Sequence, residues 1–162
     1  RESSEWLAQN LRSTRNFIRK WGHMVNHNEY LKPIIPPKYD VGFVVYNCDM
    51  NMLRELEPWC CDMYGDWVGH KGFGVNKYIE EEQPNTKFNL SNKLHSHHTK
   101  PINDVVISFD CQKLTSQNFQ IIVNLSYMLK DSGEIGEMEY DIFKFNIKSL
   151  NTYEKELILC ES

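Results

Sequence analysis

The sequence predicts an α/β fold: a small Rossmann-like, mostly parallel sheet of about four to five strands with flanking helices, preceded by an amphipathic helix. Three observations predict it. Residues 105–109, Val-Val-Ile-Ser-Phe, form a nearly continuous apolar run of the kind found in strands covered on both faces. That run passes through a polar turn into an amphipathic helical pattern. The same unit stands earlier, where Asp40-Val-Gly-Phe-Val-Val-Tyr-Asn-Cys-Asp leads into a helical stretch, and each unit opens on Asp-Val and closes on a Cys-flanked polar turn.

Taken in order, residues 4–21 read as an amphipathic helix, with Trp6, Leu7, Leu11, Phe17, Ile18 and Trp21 on one face and Arg12, Arg15 and Arg19 largely off it. Lys20 suits the helix dipole in the last turn, and Gly22 ends the helix. Residues 23–39 form an irregular linker. Its core, Lys-Pro-Ile-Ile-Pro-Pro-Lys over 32–38, is stiff because proline fixes its own φ and restrains the residue before it. A boundary near residue 38 divides the chain into a helix-and-linker tail, 1–38, and an α/β domain, 39–162.

The domain starts with a strand over 40–46, then a helix over 51–57 that Asp49 caps and Pro58 ends. A short strand over 61–64 closes at Gly65-Asp66. Residues 67–103 are long and irregular, as functional or mobile insertions are. Within them, 75–82 offers one or two helical turns, and 87–90 reads as a third strand because Phe88 and Leu90 alternate with polar residues. The central strand over 104–109 follows, then a helix capped by Thr115 or Ser116, with Phe119, Ile122, Val123, Ser126 and Leu129 on one face, and Gly133 stops it. Residues 140–147 read as one strand lying toward an edge. A final short helix over 151–159 packs Tyr153, Leu157 and Ile158.

Composition narrows the function classes. With 41% hydrophobic and 25% charged residues the chain is that of a soluble globular protein. No apolar run approaches the roughly 18 residues of a membrane span, and no signal peptide is visible, so a cytoplasmic location is expected. Residues 1–38 hold seven Lys/Arg against three Asp/Glu, whereas 39–162 hold eleven against nineteen. The acidic main body argues against nucleic acid as a partner. Five cysteines, Cys48, Cys60, Cys61, Cys111 and Cys160, show no C-x-x-C spacing and read as free thiols in a reducing compartment. The chain opens on Arg1 and enters a helical pattern at once, which reads as a fragment of a longer polypeptide.

Ligands of open parallel sheets sit beyond the carboxyl ends of the strands. Those positions are Asn47, Cys48 and Asp49, then Asp66, then Asp110, Cys111 and Gln112. Asp49 and Asp110 are candidate ligand-binding carboxylates, although both residues also suit turns and helix starts. Neither first turn carries G-x-G-x-x-G, and no phosphate-binding G-x-x-x-x-G-K-[ST] occurs. His95-Ser-His97-His98 reads as an exposed loop, since no neighbouring carboxylate or thiol completes a metal site. Gly72-Phe-Gly74 after His70-Lys71 is a weak anion loop. Cys48 and Cys111 stand at helix starts without a histidine predictably beside them. No metal ligand is assigned within the chain.

Thr14-Arg-Asn-Phe-Ile-Arg-Lys-Trp-Gly22 resembles the closing segment of the catalytic domain in family 2 glycosyltransferases of the GT-A fold, which often end on an aromatic-x-basic-Lys-Trp-Gly signature. The likeness covers about nine residues. It implies a preceding glycosyltransferase domain, which would hold the divalent metal and the nucleotide sugar, with neither bound by this chain. The family's Asp-x-Asp is absent from the matching stretch, and Asp62-Met-Tyr-Gly-Asp66 has the wrong spacing to replace it. On this likeness Arg15, Arg19, Lys20 and Trp21 border the sugar-nucleotide site, and the α/β domain aids acceptor binding or assembly as a carboxy-terminal accessory part. The alternative expectation is a non-enzymatic interaction module that docks on a partner protein through the 4–21 helix.

Overall fold

A computed structural model describes residues 4–23, 26–27, 33–34, 37–67 and 73–152. Helix α1 (Ser4–Trp21) comes first, followed by a small antiparallel ribbon of β1 (Asn26–His27) and β2 (Pro33–Ile34). The sheet domain then runs β3 (Val41–Tyr46), α2 (Met50–Leu56), β4 (Asp62–Gly65), α3 (Phe73–Glu82), α4 (Leu90–Lys93) and β5 (Leu94–Ser96). It continues with β6 (Val105–Asp110), α5 (Phe119–Val123), α6 (Leu125–Ser132), β7 (Gly136–Tyr140) and β8 (Phe143–Ile147).

Six strands form one mixed sheet in the order β5-β4-β3-β6-β8-β7. The four strands β5, β4, β3 and β6 are parallel neighbours, and β8 runs antiparallel to both β6 and β7. The sheet is therefore larger than the four to five strands expected and mixed at one side. The two Asp-Val strands do lie side by side, with Val41 opposite Val105 and Tyr46 opposite Asp110. The chain leaves β3 toward β4 and β5, then returns to the far side of β3 to make β6. The strand order thus reverses between β3 and β6.

Alternation along the strands sorts their side chains onto two faces. Val41, Phe43, Val45, Met63, Val105, Ile107, Phe109, Phe143, Phe145 and Ile147 form one core with Leu53, Leu56, Val75, Tyr78, Ile122, Leu125 and Leu129 of the helices. Burying each large side chain contributes roughly 1.5–3 kcal/mol. Among the described residues every helix that feeds this core lies on that face. The opposite face carries Gly42, Val44, Tyr46, Tyr64 and Ser108, and it is crossed by the bare connection 97–104 from β5 to β6. His97 meets Tyr46 edge-on, the Ile102 amide donates to the Tyr64 hydroxyl, and Asn103 lies over Gly42. The strap thus lies over β3 and β4 on the face that these helices leave open.

Local chemistry explains the elements. Asp49 caps α2 by accepting from the Met52 amide at 2.8 Å, and Pro58 stands in a single 3-10 turn over Glu57–Trp59 that follows it. Thr115 and Asn118 cap the next helical segment reciprocally, each side chain accepting from the other's amide. Gly133 ends α6 at φ +60°, and Gly22 ends α1 at φ +83°.

Three element readings are corrected. Residues 87–90 are not a strand: Asn89 caps the one-turn helix α4, and the strand is the next segment, β5. Phe88 and Leu90 are both buried, so their alternation recorded burial rather than pleat. Residues 140–147 are two strands, because Asp141 at φ +56° reverses the chain between Tyr140 and Phe143. Consequently β8 is interior to the sheet and β7 is the edge, with Glu137 and Glu139 exposed. The helix after β6 is broken at Asn124 into α5 and α6, and Leu125 joins its buried face. Thr152 bridges Tyr39 instead of opening a helix, and the rest of the helix expected over 151–159, with Cys160, the 68–72 loop and the side chains of Trp6, Leu7 and Leu11, lies outside the described residues.

Candidate functional site at the carboxyl ends of the strands

The six residues singled out as ligand contacts fall at opposite ends of the sheet. Arg15 and Arg19 lie at the foot, beneath the amino ends of β3 and β4, where Arg19 borders a small cavity of about 20 Å³ with Val41, Pro58, Cys60 and Cys61. Arg19 is 2% exposed. Its guanidinium bonds Glu57 and reaches Glu82 at 2.7 Å. Arg15 binds Glu82 through two bonds of 2.8 Å, and Lys93 reaches Glu57 at 2.6 Å. The Tyr78 hydroxyl donates to Glu57 at 2.7 Å, and the Lys38 ammonium to the Arg19 carbonyl at 2.8 Å. Burial opposes ionisation of Glu57, but Lys93 and Arg19 outweigh it and pull the carboxyl down to about 2. These cations are satisfied by protein groups, and the network fastens the last turns of α1 to the sheet domain. Lys20 stays exposed, with its ammonium 5.4 Å from the centre of the Trp21 ring.

A second polar cluster also belongs to the foot of the sheet. The Asn103 amide, 1% exposed, donates to Asp40 at 2.7 Å and to Asp62 at 2.8 Å, while its oxygen accepts from Tyr64. His95 lies in β5, not in a loop, with a ring nitrogen 2.8 Å from Asp62 and its ring stacked on Tyr64 at 4.9 Å. The carboxylate partner that sequence reading did not find lies 33 positions away and is brought in by the β4–β5 pairing. Burial raises the Asp40 carboxyl, partly offset by Asn103.

The crest is different. Asn47, Cys48, Asp49, Met50, Leu53, Asp66, Trp67, Gly74, Val75, Lys77 and Gln112 line a cleft of about 500 Å³. It opens at the carboxyl ends of β3 and β4, with Gln112 bordering it from beyond β6, beside the point at which strand order reverses and open α/β sheets take ligands. Asp49 lines it, but its carboxylate is occupied as the α2 cap. Asp110 stands nearby, accepting from the Gln112 amide at 2.9 Å and from Asn47 at 3.2 Å, and these bonds hold its carboxyl below the usual carboxylate range. The Cys48 thiol donates to the Asp49 carbonyl at 3.6 Å. The neighbouring Cys111 thiol, burial and the nearby carboxylates Asp49 and Asp66 push the Cys48 thiol far up, which keeps it protonated and a poor nucleophile.

The sequence places Asp66 among the crest positions without selecting it as a ligand contact, and Trp67 is the cleft residue it does not point to. The signal was position alone: Asp66 directly follows β4, on the neighbour of the first strand. Among the described residues no group of three or more His, Cys, Asp or Glu is arranged to hold a metal ion, and no helix is long and apolar enough to cross a membrane. The chain matches no protein-family model, no curated protein and no solved structure.

Proposed function

We propose that this chain is a carboxy-terminal accessory part of a glycosyltransferase-like protein, and that its crest cleft holds the acceptor during sugar transfer from a nucleotide sugar. The observation that carries the reading is the cleft itself, open at the carboxyl ends of β3 and β4 and lined by amide and carboxylate groups over an apolar floor of Leu53 and Val75. The likeness of residues 14–22 to the end of a glycosyltransferase catalytic domain supplies the reaction class. On this reading the metal, the nucleotide sugar and the catalytic base belong to a preceding domain.

The test is a nuclear magnetic resonance titration of the chain with a panel of neutral glycans at millimolar concentration. Shifts centred on Asn47, Asp66, Lys77 and Gln112 are expected. A panel that leaves these resonances in place, or moves only residues at the foot of the sheet, overturns the proposal.

A further inference from the structure

We infer that Asp66 and Trp67 form the recognition point of the crest cleft and that they take the vicinal hydroxyls of a sugar ring. This deepens the accessory-part reading and rests on it for the cleft's being a binding site.

The two other carboxylates of the crest are engaged, Asp49 by the Met52 amide and Asp110 by Gln112 and Asn47. Asp66 lines the cleft and accepts no hydrogen bond from any described residue. Beside it, Trp67 is 5% exposed and lines the same cleft, yet its indole Nε1 is buried without a partner. A buried donor left unmet costs about 1–3 kcal/mol, so it calls for an explanation. The ring's orientation is held by the close approach of Gly65, above which lie the benzo carbons Cε3, Cζ3 and Cη2. That places Nε1, on the opposite side of the indole, away from the strand.

One unmet acceptor and one unmet donor on consecutive residues complement a group that both donates and accepts. A hydroxyl does both, and a vicinal pair offers one proton to Asp66 and one oxygen to Trp67. The placement fits the same chemistry, since an acid after the strand neighbouring the first strand is where open α/β sheets hold ribose hydroxyls. A vicinal diol occurs in a nucleoside ribose and in a free saccharide alike, and the recognition chemistry is shared.

The test compares matched ligands on the intact chain, read through the Trp67 indole N–H resonance. One arm sets ribonucleosides against their 2′-deoxy and 3′-deoxy forms; the other sets neutral saccharides against their deoxy analogues. In whichever arm binds, removing one hydroxyl is expected to weaken affinity at least about tenfold, as is Asp66→Asn, because bonds to a charged partner are the stronger ones. Asp110→Asn should leave affinity unchanged. Binding by nucleosides alone assigns the diol to ribose and overturns the glycan-acceptor reading, and binding by saccharides alone assigns it to a glycan. If ligands shift cleft resonances but deoxy forms and Asp66→Asn bind as well as their parents, the diol assignment is wrong while the cleft stands. If neither arm moves any cleft resonance, the accessory-site reading itself fails. Unchanged core resonances of Val105 and Ile107 confirm that Asp66→Asn is folded.

Discussion

Glu57 shows how one residue sets the chemistry of a whole end of the molecule. It is fully buried and faces Arg19, Lys93 and the Tyr78 hydroxyl. Removing one member of a buried charge network strands the others, which typically costs about 3–5 kcal/mol. Glu57→Gln is therefore expected to lose stability of that order in urea unfolding at neutral pH, and a loss within error of zero would refute the network's role. The pH dependence follows from the direction of the shift. A carboxyl lowered from 4.5 to about 2 on folding contributes stability that is complete above the unfolded value and is lost as pH falls through about 2. The acid limb of the stability curve should flatten in Glu57→Gln. None of this was legible in the sequence, where Glu57 is one of 22 acidic residues ahead of a proline. Its partners Tyr78, Lys93 and Arg19 lie 21, 36 and 38 positions away. Asp49 was legible, because a cap is a local bond between a side chain and an amide three residues on.

At the scale of elements, the returning connection 97–104 has no helix, and its contact with the sheet depends on the absence of one atom. A Cβ at Gly42 would collide with the Asn103 side-chain oxygen, well inside the separation that a non-bonded carbon and oxygen tolerate. Gly42→Ala should therefore displace the strap and its bonds to Asp40, Asp62 and Tyr64, at about 1–3 kcal/mol as for other overpacked sites. Thermal unfolding measures it, and an unshifted melting temperature would show that the strap yields freely. Sequence periodicity located β3, α2, β4, α3 and β6 to within a residue or two, since each is written in neighbouring side chains. It failed for β5, which has three residues and takes its identity from β4, and for the β7–β8 turn, where an aspartate adopts a backbone that glycine usually supplies. The cleft residues were half legible. Their position after the strands could be read, whereas which carboxylates remain unoccupied depends on contacts across the fold.

Across the whole molecule, the two ends of the sheet divide the work. The foot gathers Arg15, Arg19, Glu57, Glu82 and Lys93 into mutual pairs that fasten α1, and the crest keeps unspent hydrogen-bonding capacity around a cleft. The sheet's outer margin adds a consequence for how copies of the protein meet. Among the described residues no strand pairs with the outer side of edge strand β7, and an unpaired row of backbone amides and carbonyls invites another strand to add. Its Glu137 and Glu139 side chains would meet their equivalents if a second copy paired there, since an antiparallel approach brings like charges face to face. Growth of the ribbon by self-addition is thereby discouraged at neutral pH. Exchanging both glutamates for valine should let molecules zip together edge to edge at high concentration, visible as a rise in scattered light. A double variant that stays monomeric would show that something other than this acidic fringe keeps the copies apart.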